Sequence, residues 1–222
     1  MNLPADLFSL PWHVLALLLT VGSLLLAARG IRWRALRDSG SRLNCLFGFG
    51  VLLALLWSLR AGVLPGLNLH LLGAMAACLF FGPRVALFAM TLPLTGIALN
   101  GSIEWQAWPL NFVVMGLFPV MFAHSLRRLV ERLLPAHFFV FVFVLAFAGS
   151  ALVVMACGLF ASLLLWSAGA YPWSLLASDY LPYFLLLGFS EAWISGAIIT
   201  MMVVYKPEWV EAFDDRHYLE RR

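Results

Sequence analysis

The sequence predicts an all-α membrane protein: one bundle of about seven transmembrane helices, with its N-terminus outside and its C-terminus in the cytoplasm. Three observations predict it. Of 222 residues, 63% are hydrophobic and only 11% charged, against roughly 45–50% and about 25% in a soluble domain. Apolar runs repeatedly approach the roughly 17–25 residues that cross a bilayer. Basic residues fall on alternate loops, which is how a polytopic chain marks its cytoplasmic side.

The runs, in order, are Pro11–Ala28, Leu43–Leu59, Leu67–Phe81, Arg84–Leu99, Trp108–Ala123, Phe138–Trp166 and Leu181–Tyr205. Each is expected to be a helix, because a backbone amide in hydrocarbon needs a partner within the chain. A β-barrel would need roughly ten-residue stretches of alternating polarity, and none occurs. No basic segment precedes the first run, so it reads as a retained helix rather than a cleaved leader. The third and fourth runs are short and meet at Phe81-Gly82-Pro83. The sixth is long enough to tilt. The count is seven, give or take one.

Arg29, Arg32, Arg34, Arg37 and Arg42 follow the first run. Arg84 follows the third. Arg127, Arg128 and Arg132 follow the fifth, and Lys206, Arg216, Arg221 and Arg222 follow the last. Of the 14 basic residues only Arg60 falls on the opposite loops. That alternation fixes the orientation. The net charge of +3 is therefore dispersed topology and not a nucleic-acid surface. Trp12, Trp105, Trp108, Trp173 and Trp209 stand near run ends, as interfacial anchors do. Gly73 with Ala77, and Gly188 with Ala192 and Gly196, have the four-residue spacing that lets helix backbones approach. Residues 1–205 read as one transmembrane domain and 206–222 as a short cytoplasmic tail, amphipathic and expected to be helical.

Cys45, Cys78 and Cys157 lie in or beside apolar runs, are odd in number and show no CxxC spacing. They imply neither a disulfide framework nor a zinc site. No HExxH, Walker A or dinucleotide fingerprint occurs. Gly188-Phe189-Ser190-Glu191 breaks the serine-protease pattern, and no later span carries a histidine. The chain is expected to be no enzyme, and any nucleotide energy must come from another chain.

Few polar groups lie within the runs, and each needs a reason to be there. Glu191 is the one carboxylate well inside a run, on the face of Gly188 and Ser195, so it should point into the bundle. It either lines a site or holds helices together. His70 opens the third run near its outer end, and His13 opens the first on the same side. Each is a metal ligand or an interfacial hydrogen bonder. His124 and His137 flank the basic loop 127–132, which is a candidate contact for a partner or for anionic lipid.

Four stretches together resemble the substrate-capture membrane component of cobalt/nickel energy-coupling-factor transporters, the CbiM/NikM type. Met1-Asn2-Leu3-Pro4-Ala5-Asp6 is similar to that family's Met-His-Ile-Pro-Asp/Glu-Gly opening. Gly66-Leu67-Asn68-Leu69-His70-Leu71-Leu72-Gly73-Ala74, then Leu79-Phe80-Phe81-Gly82-Pro83, resembles its Gly-His-Leu-x-Gly-Ala…Leu-Gly-Pro segment. Asn111 with Met115-Gly116 resembles its Asn-x-x-Asn-Met-Gly run. Gly188-Phe189-Ser190-Glu191-Ala192, followed by Lys206-Pro207-Glu208, resembles its last span.

The resemblance implies a bacterial inner-membrane protein that captures a divalent transition metal from outside. A coupling membrane subunit and cytoplasmic ATPases would be its partners, and no cofactor is held permanently. It implies a metal site built from the terminal amine of Met1, position 2 and His70, with Asn111, Met115 and Glu191 in supporting or packing positions. Asp6 and His13 are further candidates. Three positions depart from the pattern. Asn2 replaces a histidine, Val114 an asparagine and Phe184 a histidine. The same scaffold could therefore take a metal through an altered site, take a different small solute, or serve as a non-transporting interaction protein.

Overall fold

The computed structural model describes residues 2–62, 64–214 and 218. Helix α1 (Leu10–Arg29) is followed by the short α2 (Trp33–Asp38) and by α3 (Gly40–Ser58). A two-residue antiparallel ribbon joins β1 (Ala61–Gly62) to β2 (Asn68–Leu69), with Ala61 opposite Leu69. Helix α4 (Ala74–Leu99) comes next. The following span runs from α5 (Trp108–Phe112) through a π-helical turn (Val113–Leu117) into α6 (Phe118–Leu133). A second π-helical stretch (Val140–Ala148) leads into α7 (Gly149–Ser167). The short α8 (Trp173–Asp179) and α9 (Tyr183–Tyr205) complete the bundle.

Among the described residues, six helical stretches are long and apolar enough to cross a membrane: Leu10–Arg29, Gly40–Ser58, Ala74–Leu99, Trp105–Leu133, Val140–Ser167 and Tyr183–Tyr205. The third expected helix, 67–81, does not form as one. Residues 70–73 are non-helical, and only 74–81 coil before Gly82 breaks the helix with φ 72° and ψ 162°. Packing against α3 reveals what the break does. Leu53 sits on Gly73, and Phe49 meets the ring of Phe81 at 5.5 Å, so 73–81 runs antiparallel to α3. Leu92 then faces Gly50, and Gly96 faces Ala54, so the remainder of α4 runs parallel to it. The chain reverses at Gly82, and residues 67–99 make two passes.

The lengths agree with that reading. Eight helical residues rise only about 12 Å, too little for a hydrocarbon core of roughly 30 Å. The six non-helical residues before Gly73, 67–72, add up to about 20 Å at strand rise. Seven passes then leave the two termini at opposite ends of the bundle, as the charge pattern requires. At one end Leu3 meets Asn111 and Tyr171 meets Pro65. At the other Arg84 meets Gly30 and Phe213 meets Phe138.

The expected tail helix falls partly on 215–217 and 219–222, outside the described residues. The described part, after a 3₁₀ turn at Pro207–Trp209, forms a strap instead. Glu211 N–H donates to Phe80 O (3.1 Å) and Ala212 N–H to Leu79 O (3.0 Å). Two carbonyls left unpaired where the 74–81 helix stops are satisfied by the C-terminal segment. The small residues of α9 pack within the chain: Gly188 lies against Met155, and Gly196 lies under the Phe147 ring.

Candidate functional site

Two buried polar side chains organise the N-terminal end. Asn111, on α5, is fully buried. Its Oδ1 accepts the Leu3 N–H (2.8 Å), and its Nδ2 donates to Leu3 O (2.9 Å) and Ala107 O (3.0 Å). One side chain thus pairs with both backbone groups of a single arm residue. The arm is held further along by Ala5 N–H to Glu104 Oε2 (3.3 Å) and by His13 Nε2 to Ala5 O (3.1 Å). Leu3 is 1% exposed, so an apolar anchor reinforces the polar grip.

Glu191, 2% exposed on α9, performs the corresponding task on the segment before α4. Its Oε2 accepts Leu72 N–H (2.7 Å) and its Oε1 accepts Gly73 N–H (2.6 Å), while Ser195 Oγ donates to Oε1 (3.1 Å). The carboxylate takes the place of the helical partners that this extended stretch lacks. Gly73 has φ 71°, a left-handed geometry that glycine adopts at no steric cost.

The two gripped segments carry Asn2 and His70. His70 is 3% exposed. Its Nδ1 lies 3.0 Å from Leu71 O. A carbonyl only accepts, so Nδ1 carries the proton and Nε2 presents a lone pair. That Nε2 is buried with no partner among the described residues. The Trp57 ring packs 5.2 Å from the imidazole. Asn2 is 5% exposed, and neither its Oδ1 nor its Nδ2 has a partner among the described residues. A cavity of about 320 Å³ opens beside Asn2, walled by Arg60, Asn68 and Glu104.

The other candidates stand apart. His13 spends Nε2 on the Ala5 carbonyl. Asp6 is exposed. Met115 is buried in the π-helical turn and packs. Met1 lies outside the described residues. No group of three His, Cys, Asp or Glu able to hold a metal occurs among the described residues.

Several supporting residues gave little sequence signal. Tyr171 donates to Pro65 O (2.8 Å) and Tyr180 to Asn68 O (3.4 Å), tying down the loop that leads to His70. Burial pushes the Tyr180 phenol well above its ordinary pKa, so it remains a neutral donor. Glu104 and Trp57 belong with them. An aromatic or acid beside an apolar run is too common to be singled out.

Residues 2–209 match the CbiM family, described as the cobalt uptake substrate-specific transmembrane region. The chain belongs to that family. Its members are transporter components, a kind of protein distinct from enzymes. Among solved structures, a truncated transition-metal transporter superposes with a TM-score of 0.78 at 19% identity, covering 92% of this chain and 99% of the other. A second transition-metal transporter gives 0.76 at 18% identity, covering 91% and 92%. At those identities the likeness establishes the fold. No curated protein matches the chain. As a CbiM-family chain it is a multi-pass membrane component of a transporter, which fits the six long apolar helical stretches among the described residues.

Proposed function

We propose that this CbiM-family chain captures a divalent transition-metal ion, cobalt or nickel, at its N-terminal end. We further propose that it does so in a bacterial cytoplasmic membrane, as the substrate-capture part of an energy-coupling-factor importer. A separate coupling subunit and separate ATPases would drive release inward, since this sequence carries no nucleotide motif. The observation that carries the reading is His70. Its Nδ1 is fixed on a backbone carbonyl and its Nε2 lone pair is buried without a partner among the described residues, the arrangement that orients a metal-ligating imidazole. Asn2 supports it as a second buried side chain with unused polar atoms at the same end.

The proposed donor set is His70 Nε2, the Met1 amine and the backbone and side chain at position 2. An amide oxygen is a harder and weaker donor than imidazole for these ions. Binding should therefore be weaker than with histidine at position 2. One observation favours a second reading, a different small solute on the same scaffold: the cavity of about 320 Å³ beside Asn2 is walled by Arg60, Asn68 and Glu104.

The test is titration of the detergent-purified chain, with an authentic untagged N-terminus, against Ni²⁺, Co²⁺, Cu⁺ and Zn²⁺, beside His70→Ala. A stoichiometric ion lost in the variant supports capture and names the ion. No binding by either protein sinks the metal reading and leaves the second one.

A further inference from the structure

A second cavity lies at the opposite end from His70. It measures about 590 Å³. Its polar lining is Arg32, Arg42, Arg84, His124 and Glu211. Arg42 spends one nitrogen on Glu211 (3.0 Å), and Arg84 Nη1 donates to Gly30 O (3.2 Å). Arg32 is exposed, and His124 Nδ1 is buried with no partner among the described residues. Three guanidiniums against one carboxylate leave the lining positive, so the cavity repels a metal cation and attracts an anion.

Two glycines shape it. A Cβ on Gly30 would collide with the Arg84 guanidinium, and a Cβ on Gly82 with Glu211 Oε1. The backbone is cut back where these two charged groups lie flat against it. Arg84 is thereby set over the C-terminal end of α1, where it serves the Gly30 carbonyl.

The depth of the cavity indicates which anion. It lies where α1 ends at Arg29 and α3 begins at Gly40, the edge of the hydrocarbon region. Trp33, 45% exposed with its Nε1 donating to Ala28 O (3.0 Å), stands beside Arg32. An amphipathic ring so placed belongs at headgroup level. The remaining wall is apolar, formed by Ile31, Leu36, Phe81 and Val85. Such a wall suits the glycerol and upper acyl carbons of a lipid and does nothing for a free ion.

We propose that this cavity binds the phosphate headgroup of an anionic phospholipid. Arg32 and Arg84 would grip the phosphate through charge-assisted hydrogen bonds, with His124 Nδ1 as a further polar contact. The site clamps a lipid across the α1–α3 loop and the Gly82 reversal. It anchors the end of the bundle to which the C-terminal strap is also tied.

The experiment uses the full chain in detergent. Native mass spectrometry counts retained phosphatidylglycerol against phosphatidylcholine for the wild type, Arg32→Gln/Arg84→Gln and Arg34→Gln/Arg37→Gln. The last pair removes the same charge from exposed α2 positions outside the cavity. Preferential retention of phosphatidylglycerol by the wild type is expected. Affinity should fall about fivefold for one cavity arginine and more than tenfold for two, with the α2 pair unchanged. Should the Arg84 change impair folding, Arg32→Gln alone carries the test, with the fivefold loss expected. Equal losses from both pairs, or equal retention of phosphatidylcholine, would overturn the proposal. So would thermal protection by inorganic phosphate with no retention of phosphatidylglycerol, which would assign the cavity to a free anion.

Discussion

Asn111 and Glu191 do the same job with different chemistry. Each is buried within a span, and each grips backbone next to a candidate ligand residue. Asn111 meets one residue, Leu3, with a donor and an acceptor together. Glu191 meets two consecutive N–H groups with two acceptors. The difference follows from what each segment offers. An extended arm presents the N–H and C=O of one residue side by side. A turn into left-handed Gly73 presents successive N–H groups to one side, the anion-seeking arrangement of a backbone nest. The two side chains are therefore not interchangeable, although both are polar groups in apolar helices.

The largest effect should come from Glu191→Ala. It strands the N–H groups of Leu72 and Gly73 in the bundle, each costing about 1–3 kcal/mol when buried and unpaired. A loss of roughly 2–5 kcal/mol is expected, seen as a lower thermal midpoint in detergent together with loss of metal capture. Glu191→Gln should recover part of this, because its amide oxygen still accepts one N–H while its NH₂ opposes the other. Full recovery by Gln would remove the distinction between the clamps.

Asn111→Ala should cost less overall, about 1–3 kcal/mol, because only the Leu3 backbone and Ala107 O lose partners. The expected signature is selective: exchange protection and metal affinity lost at residues 2–5, with the bundle's melting little changed. Asn111→Asp should fail to rescue, since a carboxylate repels the two carbonyls that Nδ2 now serves. A uniform fall in stability across the bundle would show the arm to be part of the core, contrary to the comparison.

Next is Gly82→Ala, at the reversal that turns one apparent helix into two passes. With φ 72° and ψ 162° the position is strained for any L residue, by roughly 1–3 kcal/mol, and the added Cβ meets Glu211. The strap should loosen before the spans do, which proteolysis after Tyr205 would report. That glycine also shows where sequence reading runs out. Basic loops and apolar runs give the orientation, the passes and the Gly82 break. They do not give the extended stretch 67–73, because the runs show only apolar side chains. Whether those residues coil is decided by a carboxylate 118 residues away in sequence. Glu191 and His70 were legible because a polar group in a membrane span is rare, and Asn111 only through the family resemblance. Trp57, Tyr171 and Tyr180 were not, because their chemistry is ordinary at a span end.

The smallest expected change, and the one that most sharpens the comparison, is Asn2→His. Both clamps are complete in this chain, so the segments that carry position 2 and His70 are already fixed. Of the three departures from the family pattern, Asn2 is the one that falls in the proposed donor set. If the scaffold is intact and only the donor is poor, an imidazole at position 2 should tighten Ni²⁺ or Co²⁺ binding by about tenfold or more, worth roughly 1.4 kcal/mol, without moving the thermal midpoint of the metal-free protein. The Asn2 side chain is buried with neither polar atom bonded, so replacing it breaks no hydrogen bond among the described residues. The gain should vanish in Asn2→His/Asn111→Ala, because a free arm cannot present the new ligand. A gain that survives loss of Asn111 would mean that the metal itself orders the arm, and that the clamp is packing and no more. No gain at all, with the arm still protected, would mean that the site is shaped for a solute other than a nitrogen-seeking metal.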